Sequence, residues 1–406
     1  MSLKRLMPIA AALALTATMA QAQSAKDASS WEDVTAAAKG QTVYFHAWGG
    51  EPRINAYIDW AAGEVKDRYG ITVKHVKVTD TAGTVTQIVA EKTAGRTTGG
   101  TVDLVWINGE NFNTLKSQEL LADAGWAQTL PNWAYVDVEG KPTVLSDFTV
   151  PTDGQESPWG MAKLVFMYDS ARLSEPPRSL DALAAYAADH PGRVTYPQPP
   201  NFYGSTFLKQ ILISKIDDRS KLEKPVDPDR FEQDVAPLFA YLDKIHPNLW
   251  RKAQAFPANA AVMRQLLADS ELDIAFTFNP AAASSAIANG ELPGTVRSFV
   301  LDGGTIGNTH FVAIPFNSSA KEGAKVLANF LLSPEAQARK QDPSVWGDPT
   351  VLKISSLPEK DRTRFEAIDL GVATLSPEDL GPTLPEPHPS WVAALEKAWA
   401  ARYGGS

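Results

Sequence analysis

None of the 406 residues is a cysteine, so the chain can form neither a disulfide framework nor the thioether of an N-terminal lipid anchor. Clusters of lysine and arginine that could track a phosphate backbone are also missing. The formal net charge is −9, and it becomes more negative if Lys4 and Arg5 are removed. Nucleic acid is therefore not an expected partner. By itself the acidic excess reads as a solubility device rather than as charge steering. Only one long apolar run occurs, Met7 to Met19, interrupted by Pro8 and two threonines. It is shorter than the about 20 residues needed to span a bilayer, and no second run of that length follows. Catalytic signatures are scarce as well. There is no G-x-S-x-G, H-E-x-x-H or P-loop, and the six histidines, His46, His75, His190, His246, His310 and His388, lack metal-ligand spacing. Neither a metal nor a cofactor is expected. Ser318 to Lys321 matches S-x-x-K, but no S-D-N or K-T-G follows, so the match reads as a helix start. A secreted serine hydrolase using Ser318 and Lys321 is the rival from another functional class.

What is present begins with Lys4 and Arg5, the apolar run, and Ala20-Gln21-Ala22, a small-x-small cleavage pattern. A signal peptide over residues 1–22, cleaved after Ala22, and residence in a Gram-negative periplasm are the expectation. The remaining chain of roughly 380 residues exceeds what one core usually serves, and 44% hydrophobic with 21% charged residues is a globular balance. Two lobes with a cleft between them are predicted.

Thr42 to Ala47 reads as a strand and the residues after Glu51 as a helix, with Ile54, Tyr57, Ile58, Ala61, Ala62 and Val65 at helical spacing. Ile71 to Val78 alternates as a strand, Val85 to Ala94 reads as a helix, and Val102 to Ile107 as a buried strand. Alternating strands and helices predict an α/β fold with mostly parallel sheets. Trp159 to Tyr168 reads as one long strand leading to a new lobe, and His310 to Pro315 as the strand returning to the first. Ser318 and Ser319 are expected to cap the helix from about Ala320, and Val392 to Tyr403 forms an amphipathic helix. The predicted division is 23–158 for the first part of lobe 1, 159–308 for lobe 2, and 309–406 for the return to lobe 1 with a C-terminal helical segment.

In open parallel sheets, ligands bind beyond the carboxyl ends of the strands. Four loops occupy such positions, Trp48 to Glu51, Asn108 to Asn111, Phe202 to Thr206 and Thr277 to Asn279, two from each expected lobe. Their side chains include Trp48, Asn108, Glu110, Tyr203 and Asn279, a mixture suited to an aromatic or cationic organic solute. Trp250 and Trp346, in proline-containing stretches, are candidates to close the box. Gly204 and Ser205 open a helix whose amides would receive an anionic group, which keeps a phosphorylated or otherwise anionic solute as an alternative. Trp106 is assigned to the core, and His310 to a packed, hydrogen-bonded position.

The segments 48–85, 102–112 and 308–352 together, above all W-I-N-G-E-N-F at 106–112, resemble the YnjB-like branch of the periplasmic solute-binding proteins of ABC importers. The resemblance implies a type II periplasmic-binding fold, with two lobes joined by two crossing strands that close over one ligand. It implies ligand contacts at Trp48, Asp80, Asn108, Glu110, Tyr203 and Asn279, binding without turnover, and delivery to a cognate permease in the inner membrane; a monomer is the expectation for the chain. It leaves the ligand open. Adjacent tyrosines, which hold iron in some members, do not occur here, and a thiamine-like or other cationic solute is the leading expectation.

Overall fold

The computed structural model describes residues 30–376 and 379–404. The expected signal peptide lies outside them. The first lobe starts with strand β1 (Thr42–Trp48), the helix Pro52–Tyr69, strand β2 (Thr72–Val78), the helix Thr81–Thr93, strand β3 (Leu104–Ile107) and the helix Gly109–Ser117. Pro52 opens its helix where a missing N–H costs nothing, and Gly70 closes it at φ 69°, a left-handed conformation that glycine adopts freely. The buried face of that helix, Ile54, Tyr57, Ile58, Ala61 and Val65, packs on the sheet. Strand β1 pairs in parallel with both β2 and β3, so the three carboxyl ends emerge at one edge of the lobe. A short hairpin, β4 (Ser146–Asp147) and β5 (Val150–Pro151), follows, and its turn residues Phe148 and Thr149 both have positive φ, 45° and 71°.

The stretch expected as a single strand from Trp159 to Tyr168 is two, β6 (Glu156–Lys163) and β7 (Val165–Asp169). They part at Leu164 because they belong to different sheets. Strand β7 lies between β8 (Ile274–Thr277) and β9 (Val296–Phe299), whereas β6 runs antiparallel to β10 (Thr305–Ala313). Strand β10 starts five residues before the expected His310 and also pairs with β3, which carries the chain back into the first sheet. These are the two crossings. Strand β11 (Thr383–Leu384) adds in parallel beside Thr305 and Ile306. The parallel pattern expected of the sheets holds for β1, β2 and β3, while β7 is antiparallel to both of its neighbours.

Each lobe has its own core. The first gathers Val43, Phe45, Tyr57, Trp159, Leu327 and Phe330, and the second Phe166, Phe207, Leu238, Phe276 and Phe299. The C-terminal helix, Ser390–Tyr403, was expected with the first lobe, but it inserts Trp391, Leu395 and Trp399 into the second core. The indole N–H of Trp399 donates to the Tyr196 hydroxyl at 2.8 Å, and Arg402 pairs with Asp243. Amphipathic spacing shows that such a helix is buried on one face; it does not show against which lobe.

The Ser318 hydroxyl accepts from the Ala320 amide at 3.2 Å, but neither serine reaches an amide inside the helix Lys321–Leu331. The cap comes from buried Asp103, just before β3, whose Oδ1 accepts from the amides of Ser319 at 2.9 Å and Ala320 at 3.0 Å and from the Ser318 hydroxyl at 2.8 Å. A carboxylate at the positive end of a helix brings a negative charge and more acceptor sites than a serine hydroxyl.

Candidate functional site

The carboxyl ends of β1, β2 and β3 carry Trp48, Asp80 and Asn108 in succession, so three sequence-predicted residues border one edge. The Trp48 indole lies over Gly50, where a Cβ would stand 2.4 Å from the ring, and it remains 36% exposed. Asp80 caps its helix by accepting from the Ala82 amide at 2.7 Å. The Asn108 carboxamide donates to the carbonyl of Thr309 at 2.6 Å, tying the loop to the returning strand β10. Gly109 follows at φ 59°, and its amide donates to buried Asp147 at 2.6 Å. This positions Glu110 in the first turn of the helix.

Glu110 itself is exposed to solvent. Desolvation pushes its pKa up, and the carboxylates of Glu396 and Glu386 push it further, while the Lys209 ammonium opposes them. The carboxyl of Glu396 is also raised, first by burial and then by Asp80, with the Ser205 hydroxyl and Lys209 opposing. Glu396 sits on the C-terminal helix and accepts from Ser205 Oγ at 2.5 Å. It therefore links Asp80 and Glu110 of the first lobe to the helix Phe202–Lys215 of the second. Beneath them, burial also raises Asp147 and Glu156 well above the usual carboxylate range.

From the second lobe, half-buried Tyr203 reaches this region with its hydroxyl beside Thr277 and within the field of Glu51 across the cleft; burial raises its pKa. Phe202 stands edge-on to Tyr203, with ring centroids 5.7 Å apart, and is 44% exposed. Asn279 turns inward: its Oδ1 accepts from the Ala281 amide and its Nδ2 donates to the Trp346 carbonyl at 3.0 Å, so it joins the lobes near the crossings.

The structure gives four of the expected residues other partners. Trp346 is 6% exposed and packs among Tyr57, Trp106, Trp159 and His310, as part of the first core rather than a cleft wall. Trp250 hydrogen-bonds Glu271 and lies beside Val194, which bridges to Ile274, the end of β8 opposite to Asn279. Gly204 packs against the carbonyl of Pro197, where a Cβ would stand 2.1 Å away. Ser205 already faces the Glu396 carboxylate, which repels an anion at that helix start. Trp106 is half-buried in the aromatic cluster, and His310 bonds Asp348 at 2.9 Å, as the sequence reading had it.

Sequence reasoning missed Lys209, Glu386 and Glu396. The Lys209 ammonium is buried, 2.6 Å from Glu386 Oε2, and the other Glu386 oxygen accepts from Asn308 at 3.1 Å. Lys209 and Glu396 are interior residues of helices, and Glu386 follows a two-residue strand, so no local motif marks any of them. Helical spacing from the cleft residue Phe202, two turns before Lys209, was the only available signal.

A family profile described as bacterial extracellular solute-binding protein matches residues 60–360. The chain is 49% identical over 380 residues to Protein YnjB of Escherichia coli (strain K12), covering 94% of this chain and 95% of that one. Among solved structures, the substrate-binding protein PotD of a spermidine/putrescine ABC transporter from Streptococcus pneumoniae superposes with a TM-score of 0.59 at 17% identity, covering 88% of this chain and 99% of the other. The periplasmic binding protein AfuA from Actinobacillus pleuropneumoniae, with fructose-6-phosphate bound, gives 0.59 at 15% identity, covering 90% and 99%. With the two crossings and the two cores in place, the chain belongs to the bacterial extracellular solute-binding proteins, in the type II periplasmic-binding fold.

Proposed function

We propose that this protein captures a small organic cation, aromatic and thiamine-like, between its two lobes and delivers it to a permease of the inner membrane. The reading rests on one observation above all. The Lys209 ammonium pairs with Glu386, and Glu110 and Glu396 both feel its charge, Glu110 with Glu396 and Glu386 as further acidic neighbours and Glu396 with Asp80. That leaves an excess of negative charge beside the aromatic faces of Phe202 and Tyr203, with Trp48 at the end of the neighbouring strand. A cationic ring system would neutralise the excess and stack on those faces. Against an anionic solute stands Glu396, which occupies the helix start that would have received it. Polyamines and a sugar phosphate appear in the names of fold relatives, and of these the charge here favours the cationic class.

Binding rather than turnover is its work. The Ser318 hydroxyl donates to Asp103 as part of a helix cap, which supports a structural role and not that of a nucleophile. We place the protein in the periplasm as a monomer, exported by residues 1–22. Isothermal titration with thiamine, its phosphates, polyamines and phosphonates tests the ligand class. A thiamine-like cation is expected to bind and inorganic phosphate not to compete; tight binding of anions alone would sink the reading.

A further inference from the structure

Lys209 raises a question that the cation reading does not answer, because a buried ammonium in an acidic cleft costs desolvation and uses up one of the available carboxylates. Its surroundings resemble a ligand seat. The Nζ atom lies 2.6 Å from Glu386 Oε2, 4.7 Å from the ring centroid of Phe148 and 5.5 Å from that of Phe202. A carboxylate and two aromatic faces are the elements with which proteins hold an alkylammonium. Phe148 packs against Gly109 of the first lobe, and Phe202 opens the helix whose Phe207 and Leu208 lie in the second core, so the seat spans the two lobes. The turn holding Phe148 keeps two consecutive residues at positive φ, and the ring presses against Gly109, where a Cβ would come within 2.9 Å of it.

We propose that Lys209 is a resident cation that fills one of two cationic positions in the cleft and so sets the charge rule for the ligand. The open position, beside Glu110, Glu396 and Asp80, accepts one positive charge. A second charge on the ligand meets an occupied seat and is repelled by it. The protein therefore selects organic monocations against dications such as alkanediamines. This inference rests on reading the cleft as a cation site and adds to that reading the number of charges accepted.

The test is chemical rescue of Lys209→Ala. Alanine keeps Cβ, so the missing atoms are those of n-propylammonium, while Glu386 is left buried and unpaired. Millimolar n-propylammonium is expected to raise the thermal midpoint of Lys209→Ala by several degrees, with no effect of equal sodium and none on wild type. The variant is also expected to bind alkanediamines about tenfold more tightly than wild type does. A midpoint that the amine leaves unmoved overturns the proposal. If the variant does not fold alone, it is refolded with and without the amine: recovery only with the amine supports the seat, and failure in both overturns it. The double variant Lys209→Met/Glu386→Gln removes both charges at similar volume and must not respond; an equal response overturns specific seating. Rescue without binding of any organic cation by wild type would remove the proposed function and leave the seat, and the reverse result would remove the seat alone.

Discussion

On the proposed reading, Glu110 and Glu396 govern how the cleft takes a cation, because burial disfavours their ionised forms and a bound cation favours them. Burial raises both pKa values. In the window between the ordinary and the raised value, the folded protein holds protons that the unfolded chain has released, so these groups lower stability as pH rises through it. A bound cation prefers the ionised forms, so its affinity must rise with pH over the same window, with protons released on binding. Titration calorimetry in buffers of different ionisation enthalpy at about pH 5 and 7 measures both; an affinity that falls with rising pH would contradict the assignment. Glu110→Gln and Glu396→Gln should each weaken binding about tenfold without unfolding the protein, by loss of a charge-assisted contact. Tyr203→Ala belongs to the same series from the other lobe, and equal affinity in all three variants would remove this cleft from consideration. Glu110 was legible in the sequence because it follows a buried strand and opens a helix. Glu396 was not, because a glutamate in an amphipathic helix looks like any solvated charge until the fold sets it against Ser205.

Among the elements, strand and helix identities in the first lobe were legible because β-branched alternation and helical spacing are local properties. The break at Leu164 was not, since a chain that leaves one sheet for another keeps its apolar pattern on both sides of the break. The cap of the helix Lys321–Leu331 shows the same limit. Two serines stand at its start, but the fold brings Asp103 there from before β3, and its other oxygen accepts from the Tyr44 amide at 2.9 Å on β1. One buried carboxylate thus joins β1, the approach to β3 and the helix after the return crossing. Asp103→Ala would strand these donors in a buried place and should cost about 3 kcal/mol of stability. Chemical denaturation measures this, and a loss below about 0.5 kcal/mol, ordinary for a surface site, would mean that the cap contributes little. Ligand affinity of the folded fraction should be unchanged, because the cap lies on the helix and not at the cleft edge.

At the level of the whole molecule, the lobes must be held open or closed by a balance that a ligand can tip. Near the crossings the lobes are joined by Asn279 on the Trp346 carbonyl and Ser285 on the Pro343 carbonyl. Farther out, Arg53 of the first lobe reaches Glu291 of the second at 3.2 Å, and Arg264 holds the other Glu291 oxygen at 3.0 Å. The Glu291 side chain is 41% exposed, so this clasp contributes about 0.5 kcal/mol, far below the about 5.5 kcal/mol that takes a two-state equilibrium from one extreme to the other. The clasp alone does not close the lobes, so on the proposed reading closure draws on the ligand. Glu291→Ala should weaken affinity only about twofold, chiefly through faster release, and the difference from wild type should shrink in high salt. Stopped-flow release rates and the radius of gyration by small-angle scattering read the two effects. A loss of about a hundredfold would instead make Glu291 a ligand contact, since no exposed clasp supplies that much.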